Sequence, residues 1–191
     1  MTGASPFARL ETAVAEARGL LESPAAHALL SHWAELAATG YPTRKDLNPL
    51  GFVAALPNVW LRSYEPRTRR FLCDLAGDAV RESHDQPLVG SYLEDILKPA
   101  EIPLVRAAFE RTLLRANILI SVGRLFREIR RPGLGERLVL PLYTPDGAPA
   151  GLVGCAVRLD ERPELQTIDG ISDRLLTYIP LREGETESSL T

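Results

Sequence analysis

The chain has 191 residues, enough for one domain with extensions, and its 45% hydrophobic content supplies a core of ordinary size. A formal net charge of −3 excludes a general affinity for nucleic acid or for acidic membrane surfaces. The longest apolar runs, Asn117 to Val122 and Gly151 to Val157, have strand length rather than the ~20 residues of a membrane helix, so no membrane insertion is expected.

Residues 6–22 read as a helix, because Phe7, Leu10, Val14, Ala17 and Leu21 recur at steps of three and four. The stripe either packs on its own domain or forms a short dimer seam, and under three heptads is little for a coiled coil. Ser23-Pro24 opens a second helix, with serine as cap and proline in the first turn, and Gly40 closes it. His27 and His32 lie five apart on it, off the i, i+4 spacing of a metal pair. After a connector, Tyr41 to Asp46, Asn48-Pro49 starts a short helix ending at Pro57.

The period then changes to two. Val59-Trp60-Leu61 and Arg69 to Leu75 read as a hairpin around Glu65-Pro66-Arg67-Thr68. Short helical pieces broken by Pro87 and Gly90 fill Ala79 to Leu97. Glu101 to Ala116 is a longer helix with Ile102, Val105, Phe109, Leu113 and Ala116 on one side. Three strands are expected next, Ile118 to Ile129, Arg137 to Tyr143 and Ala150 to Leu159, joined by turn-rich Pro132 to Gly135 and Thr144 to Gly147. An apolar patch, Leu175 to Leu181, is suited to docking on the domain, and Glu183 to Thr191 reads as disordered. The domain plan is N-terminal helices over 1–40, a domain over 41–160 and an extension over 161–191. Two strands, a helical insert and three antiparallel strands make an α+β layer architecture.

Four segments carry a family resemblance. They are Trp33 with Pro42 to Pro49, Leu56-Pro57-Asn58-Val59-Trp60-Leu61, Phe71 to Gly77 with Leu88 to Leu93, and Leu140-Pro141-Leu142 to Gly147. Their order over residues 28–159 resembles the PAS domain, and more narrowly the PAS_5 group of bacterial single-PAS proteins, mostly alphaproteobacterial. Asp74, His84 and Asp85-Gln86-Pro87 depart from that group's usual pattern. The resemblance implies a five-stranded antiparallel sheet in the order 2-1-5-4-3, with the helical insert across one face. It also implies a sensory or interaction module without catalysis of its own.

No nucleophile elbow, phosphate-cradling loop or metal-ligand spacing stands out, so an enzyme is not expected. The resemblance implies that a haem ligand would come from the long helix, which holds no histidine. It also implies that a flavin adduct would need a helix cysteine motif, which is missing, since both cysteines, Cys73 and Cys155, sit on strands. Haem and flavin are both disfavoured. No cofactor is therefore assigned, and an unknown small ligand is left open. The ligand pocket is expected from Phe71, Cys73, Leu75, His84, Tyr92, Phe109, Ile120, Val122 and Leu140, with a solid core as the alternative. Arg124, Arg127, Arg130, Arg131 and Arg137 crowd the first long hairpin, partly offset by Glu128 and Glu136. A solvated basic hairpin is the default reading. The expected role is signalling through another protein, as a homodimer. The alternative is a small-molecule sensor with its pocket between sheet and insert. Met1 to Phe7 lacks a basic start and an apolar run, so a cytoplasmic chain with reduced thiols is expected.

Overall fold

The computed structural model describes residues 4–124, 134–159 and 174–184. Helices α1 (Leu10–Leu20) and α2 (Pro24–Thr39) lead into two 3-10 segments, Arg44–Asp46 and Pro49–Asn58. Strands β1 (Val59–Glu65) and β2 (Arg70–Ala76) form the first hairpin. The insert follows as α3 (Asp78–Glu82), α4 (Leu93–Ile96) and α5 (Ile102–Leu114). Strands β3 (Asn117–Arg124), β4 (Leu134–Tyr143), β5 (Pro149–Arg158) and β6 (Arg174–Pro180) complete the order.

All strand pairs are antiparallel, and the sheet order is β2-β1-β5-β4-β3-β6. The first five strands follow the order that the resemblance implies, and the fold is PAS-like. The difference is a sixth strand. The apolar patch near Leu175 is part of β6, which pairs with β3 from Asn117↔Pro180 to Gly123↔Arg174. It covers an edge that β3 would otherwise present to solvent. The stretch planned as an extension therefore contributes to the sheet itself.

Both faces of the sheet are covered. Helix α5 contacts β3, β4 and β5 on one face, here called the inner face. Helices α1 and α2 contact β3, β4, β5 and β6 on the other. Central strands buried on both sides need no polar alternation. This is why Ile118-Leu119-Ile120, Leu138-Val139-Leu140 and Leu152-Val153 are apolar without a break and all buried.

The stripe on α1 is consumed by this layering. Phe7, Leu10, Ala17 and Leu21 are buried in the chain's own core, and Val14 packs partly buried against it. The Phe7 ring lies 5.8–6.0 Å from Trp33, Tyr41 and Tyr143. The stripe is thus not free to form a dimer seam, because its apolar area is already removed from water within one chain.

The junction between α1 and α2 is pinned by a carboxylate. Glu136 on β4 is fully buried and accepts hydrogen bonds from Glu22 N at 2.6 Å, Ser23 N at 3.2 Å and Ser23 Oγ at 2.7 Å. Ser23 Oγ also caps α2 by accepting from Ala26 N at 3.1 Å. Glu136 therefore does not offset a basic hairpin. Trp33 adds a second tie, donating Nε1–H to Pro141 O at 2.9 Å.

Glu136→Ala would strand the buried Ser23 amide and hydroxyl and the part-buried Glu22 amide, so it should cost about 3 kcal/mol or more in urea unfolding. Glu136→Gln, which keeps one acceptor oxygen, should cost less. A loss within about 0.5 kcal/mol for Glu136→Ala, the range of an ordinary surface substitution, would contradict this role.

Candidate functional site

The inner face of the hairpin is set by an irregularity. Leu61 pairs with Leu75, but Arg62 pairs with Cys73, so Asp74 is an extra residue in β2. This β-bulge shifts the phase of side chains along the strand. Phe71 and Cys73 point into the core, whereas Leu75 is turned outward and is 42% exposed. Leu75 therefore does not line the inner face as the plain alternation predicts. Asp74 is turned away with it. Its carboxylate accepts a short hydrogen bond from Ser63 Oγ and pairs with Arg44 at 2.9 Å.

Across the sheet, the register assigns each central side chain to a face. Trp60 opposes Gly154, and Gly154 opposes Val139. A Cβ at Gly154 would overlap the Trp60 ring, so glycine is required by that close approach. Trp60 in turn stacks on Phe109 of α5 at 5.4 Å, which fixes this row as the inner face. By the same alternation Ile120, Val122 and Leu140 share the face of Glu136, which meets the α1–α2 junction. These three were expected in the pocket, and they lie on the opposite side of the sheet. Cys155 is on their side too. Burial, then the nearby Glu136 charge, pushes its thiol up to about 12.

What remains on the inner face is a run of four rings. Trp60 meets Phe109 at 5.4 Å, Phe109 meets Phe71 edge-on at 5.5 Å, and Phe71 meets Tyr64 at 5.0 Å. Each such pair is worth about 1 kcal/mol beyond the apolar area it buries. Cys73 lies beside this run, and burial raises its thiol above the ordinary value, so it stays neutral.

Arg62 projects from β1 onto the same face, between Trp60 and Tyr64 in sequence, and is 8% exposed. Among the described residues its hydrogen-bond acceptor is Phe71 O at 3.3 Å, and no carboxylate lies within ion-pair distance of it. Burial lowers its pKa, opposed by the nearby Cys73, Asp74 and Glu94. Nothing in the sequence marked this residue, because its partners are set by strand pairing and not by spacing.

A polar rim encloses the rings where the insert meets the hairpin. Glu94 on α4 pairs with Arg70 at 3.4 Å and, through a short contact, with Arg106 on α5. The Arg70 guanidinium lies 3.5 Å above the Tyr92 ring. Tyr92 donates its hydroxyl to Glu65 Oε1 at 2.6 Å. Arg69 forks onto Glu110 at 2.8 and 2.6 Å. Tyr92 is thus a rim residue rather than a wall residue. Gly90, at φ +86°, makes the left-handed turn that lets this segment return, and Cys73 N donates to Ser91 O at 2.9 Å. His84 lies after α3, with Nδ1 2.9 Å from Ser83 Oγ and 3.0 Å from Val80 O, so that nitrogen serves the end of the helix.

Of the arginines in the first long hairpin, Arg127, Arg130 and Arg131 lie outside the described residues. Arg137 is partly buried within β4, opposite Ser121, and is not a solvated hairpin residue. No group of three or more His, Cys, Asp or Glu side chains suited to a metal ion occurs among the described residues. Among them, too, no helix is long and apolar enough to cross a membrane.

No family model matches the chain, and no curated protein matches it. Three solved structures are similar in outline. A PAS domain from Colwellia psychrerythraea is 9% identical with a TM-score of 0.42, covering 58% of this chain and 95% of that one. A sensory box histidine kinase/response regulator from Burkholderia thailandensis is 12% identical with a TM-score of 0.38, covering 62% and 90%. The PAS domain of BvgS from Bordetella pertussis is 22% identical with a TM-score of 0.35, covering 62% and 92%. At these scores the likeness carries no functional conclusion.

The rim has a pH signature. Burial tends to raise the Glu94 pKa, but hydrogen bonds from its own backbone amide and Arg106, with the Arg106 charge, hold it below the ordinary 4.5. Its contribution to stability is then present above about pH 4.5 and lost as pH falls through the lower folded-state value. Between about pH 5 and pH 3, wild-type stability should fall more steeply than that of Glu94→Gln, as followed by thermal melts. Parallel pH profiles for the two proteins would refute this role for Glu94.

Proposed function

We propose that the chain is a non-catalytic PAS-like sensory module, related to the PAS_5 group through its four motif segments, that signals by binding another protein and pairs with itself. The observation that carries this reading is the layering. One face of the sheet is filled by N-terminal helices, and the other is walled by a helical insert closed over rings and one buried arginine. Such a face has side chains for holding a small molecule and, among the described residues, no nucleophile with a base beside it. Its link to the surface is the rim, where Glu94 and Tyr92 join the insert to the hairpin. A ligand that displaced the insert would alter that rim, and a partner could read the change.

A second reading, a small-molecule sensor in which ligand capture is itself the function, is favoured by Arg62 alone. The chain is placed in the cytoplasm on both readings.

Light scattering on the purified protein should give twice the chain mass of 21.0 kDa. Its visible spectrum should lack haem and flavin bands. A monomer at all accessible concentrations would remove self-pairing. A Soret or flavin band would replace the partner-binding reading with a cofactor sensor.

A further inference from the structure

Arg62 is a buried cation whose counter-ions are already taken. The two carboxylates whose charge reaches it are Asp74 and Glu94. Asp74 is held by Arg44 and Ser63 on the far side of the bulge. Glu94 is shared between Arg70 and Arg106. Arg44, Arg70 and Arg106 take up these two carboxylates, and Arg62, left without an ion pair, is the most deeply buried of the four. Arg106 reinforces the imbalance, because its Nε is buried and makes no hydrogen bond.

Burying an unpaired ion is costly, and replacing such a group by an apolar one commonly stabilises a protein. The arrangement makes physical sense if a partner anion arrives from outside. The bulge is what creates the vacancy. By adding Asp74 to β2 it turns that carboxylate to the other face, and it places Cys73, a neutral thiol, opposite Arg62.

We propose that Arg62 anchors a small organic monocarboxylate with an apolar body, its head on the guanidinium and its body against Tyr64, Phe71 and Phe109. A planar guanidinium matches a carboxylate in bidentate fashion, which favours that head group. A single free cation balances a single negative charge. The ring run supplies an apolar wall, and the neighbouring rim cations Arg70 and Arg106 are already engaged by Glu94. This inference deepens the ligand-gated form of the module reading and rests on it.

The probe is sodium benzoate, with uncharged benzamide as its shape-matched control. Benzoate should raise the wild-type Tm by about 5 °C once its concentration exceeds Kd about a hundredfold. Benzamide should not. Arg62→Met should melt at or above the unliganded wild type, because it removes an unpaired buried charge, and should lose the benzoate shift. The inference is overturned if benzoate leaves the wild type unmoved, if benzamide shifts it equally, or if Arg62→Met keeps the shift. It is equally overturned if Arg62→Met melts well below the wild type, which would make the arginine structural. A dimer that ignores benzoate removes the carboxylate and leaves the module reading standing. A monomer that binds it does the reverse.

Discussion

The Glu136 carboxylate is the constraint on which the layering depends. It is buried on β4 and takes hydrogen bonds from two backbone amides and a hydroxyl at the α1–α2 junction. A buried carboxylate is tolerated only when such donors replace its water. Once met, they fix where the N-terminal helices cross the sheet. That crossing decides which face is closed by the chain's own helices and which is left to the insert. The inner face has its character because the outer one is already spent.

The two faces are built by different forces. The outer one is held by apolar burial, with Phe7, Leu29, Leu30 and Trp33 among the most enclosed side chains. The inner one combines rings with charge. Its arginines and carboxylates lie where hairpin, α4 and α5 meet, and several of these contacts are partly exposed, so they orient the insert more than they stabilise it. An insert held in this way can be shifted without unfolding the sheet. On the proposed reading the insert is the responsive element and β1–β5 the scaffold.

The order of elements was legible in the sequence because each carries its own period or cap. Ser23-Pro24, Asn48-Pro49 and the stripe through Phe109 all sit where the structure has helix starts and a buried helix face. The site was legible only where one side chain set the outcome, as for Phe71, Cys73 and Phe109. Ile120, Val122 and Leu140 were misplaced because a strand buried on both sides has no alternation to reveal its faces. Leu75 was misplaced by a bulge that no turn residue announces. The sixth strand was missed because an edge strand is defined by its partner, here β3, rather than by its own residues. Arg62 was passed over for a related reason. In sequence it is one arginine among many, and only pairing to Cys73 and Leu152 shows that it is buried.

On the proposed reading, ligand capture belongs to the inner face alone. The two tryptophans report on the faces separately, since Trp60 stacks on Phe109 and Trp33 lies under the N-terminal helix. Titrating benzoate into Trp33→Phe and Trp60→Phe variants, and following the emission of the tryptophan that remains, tests this directly. Trp60 should respond and Trp33 should not. A response from Trp33 with Trp60 silent would contradict it.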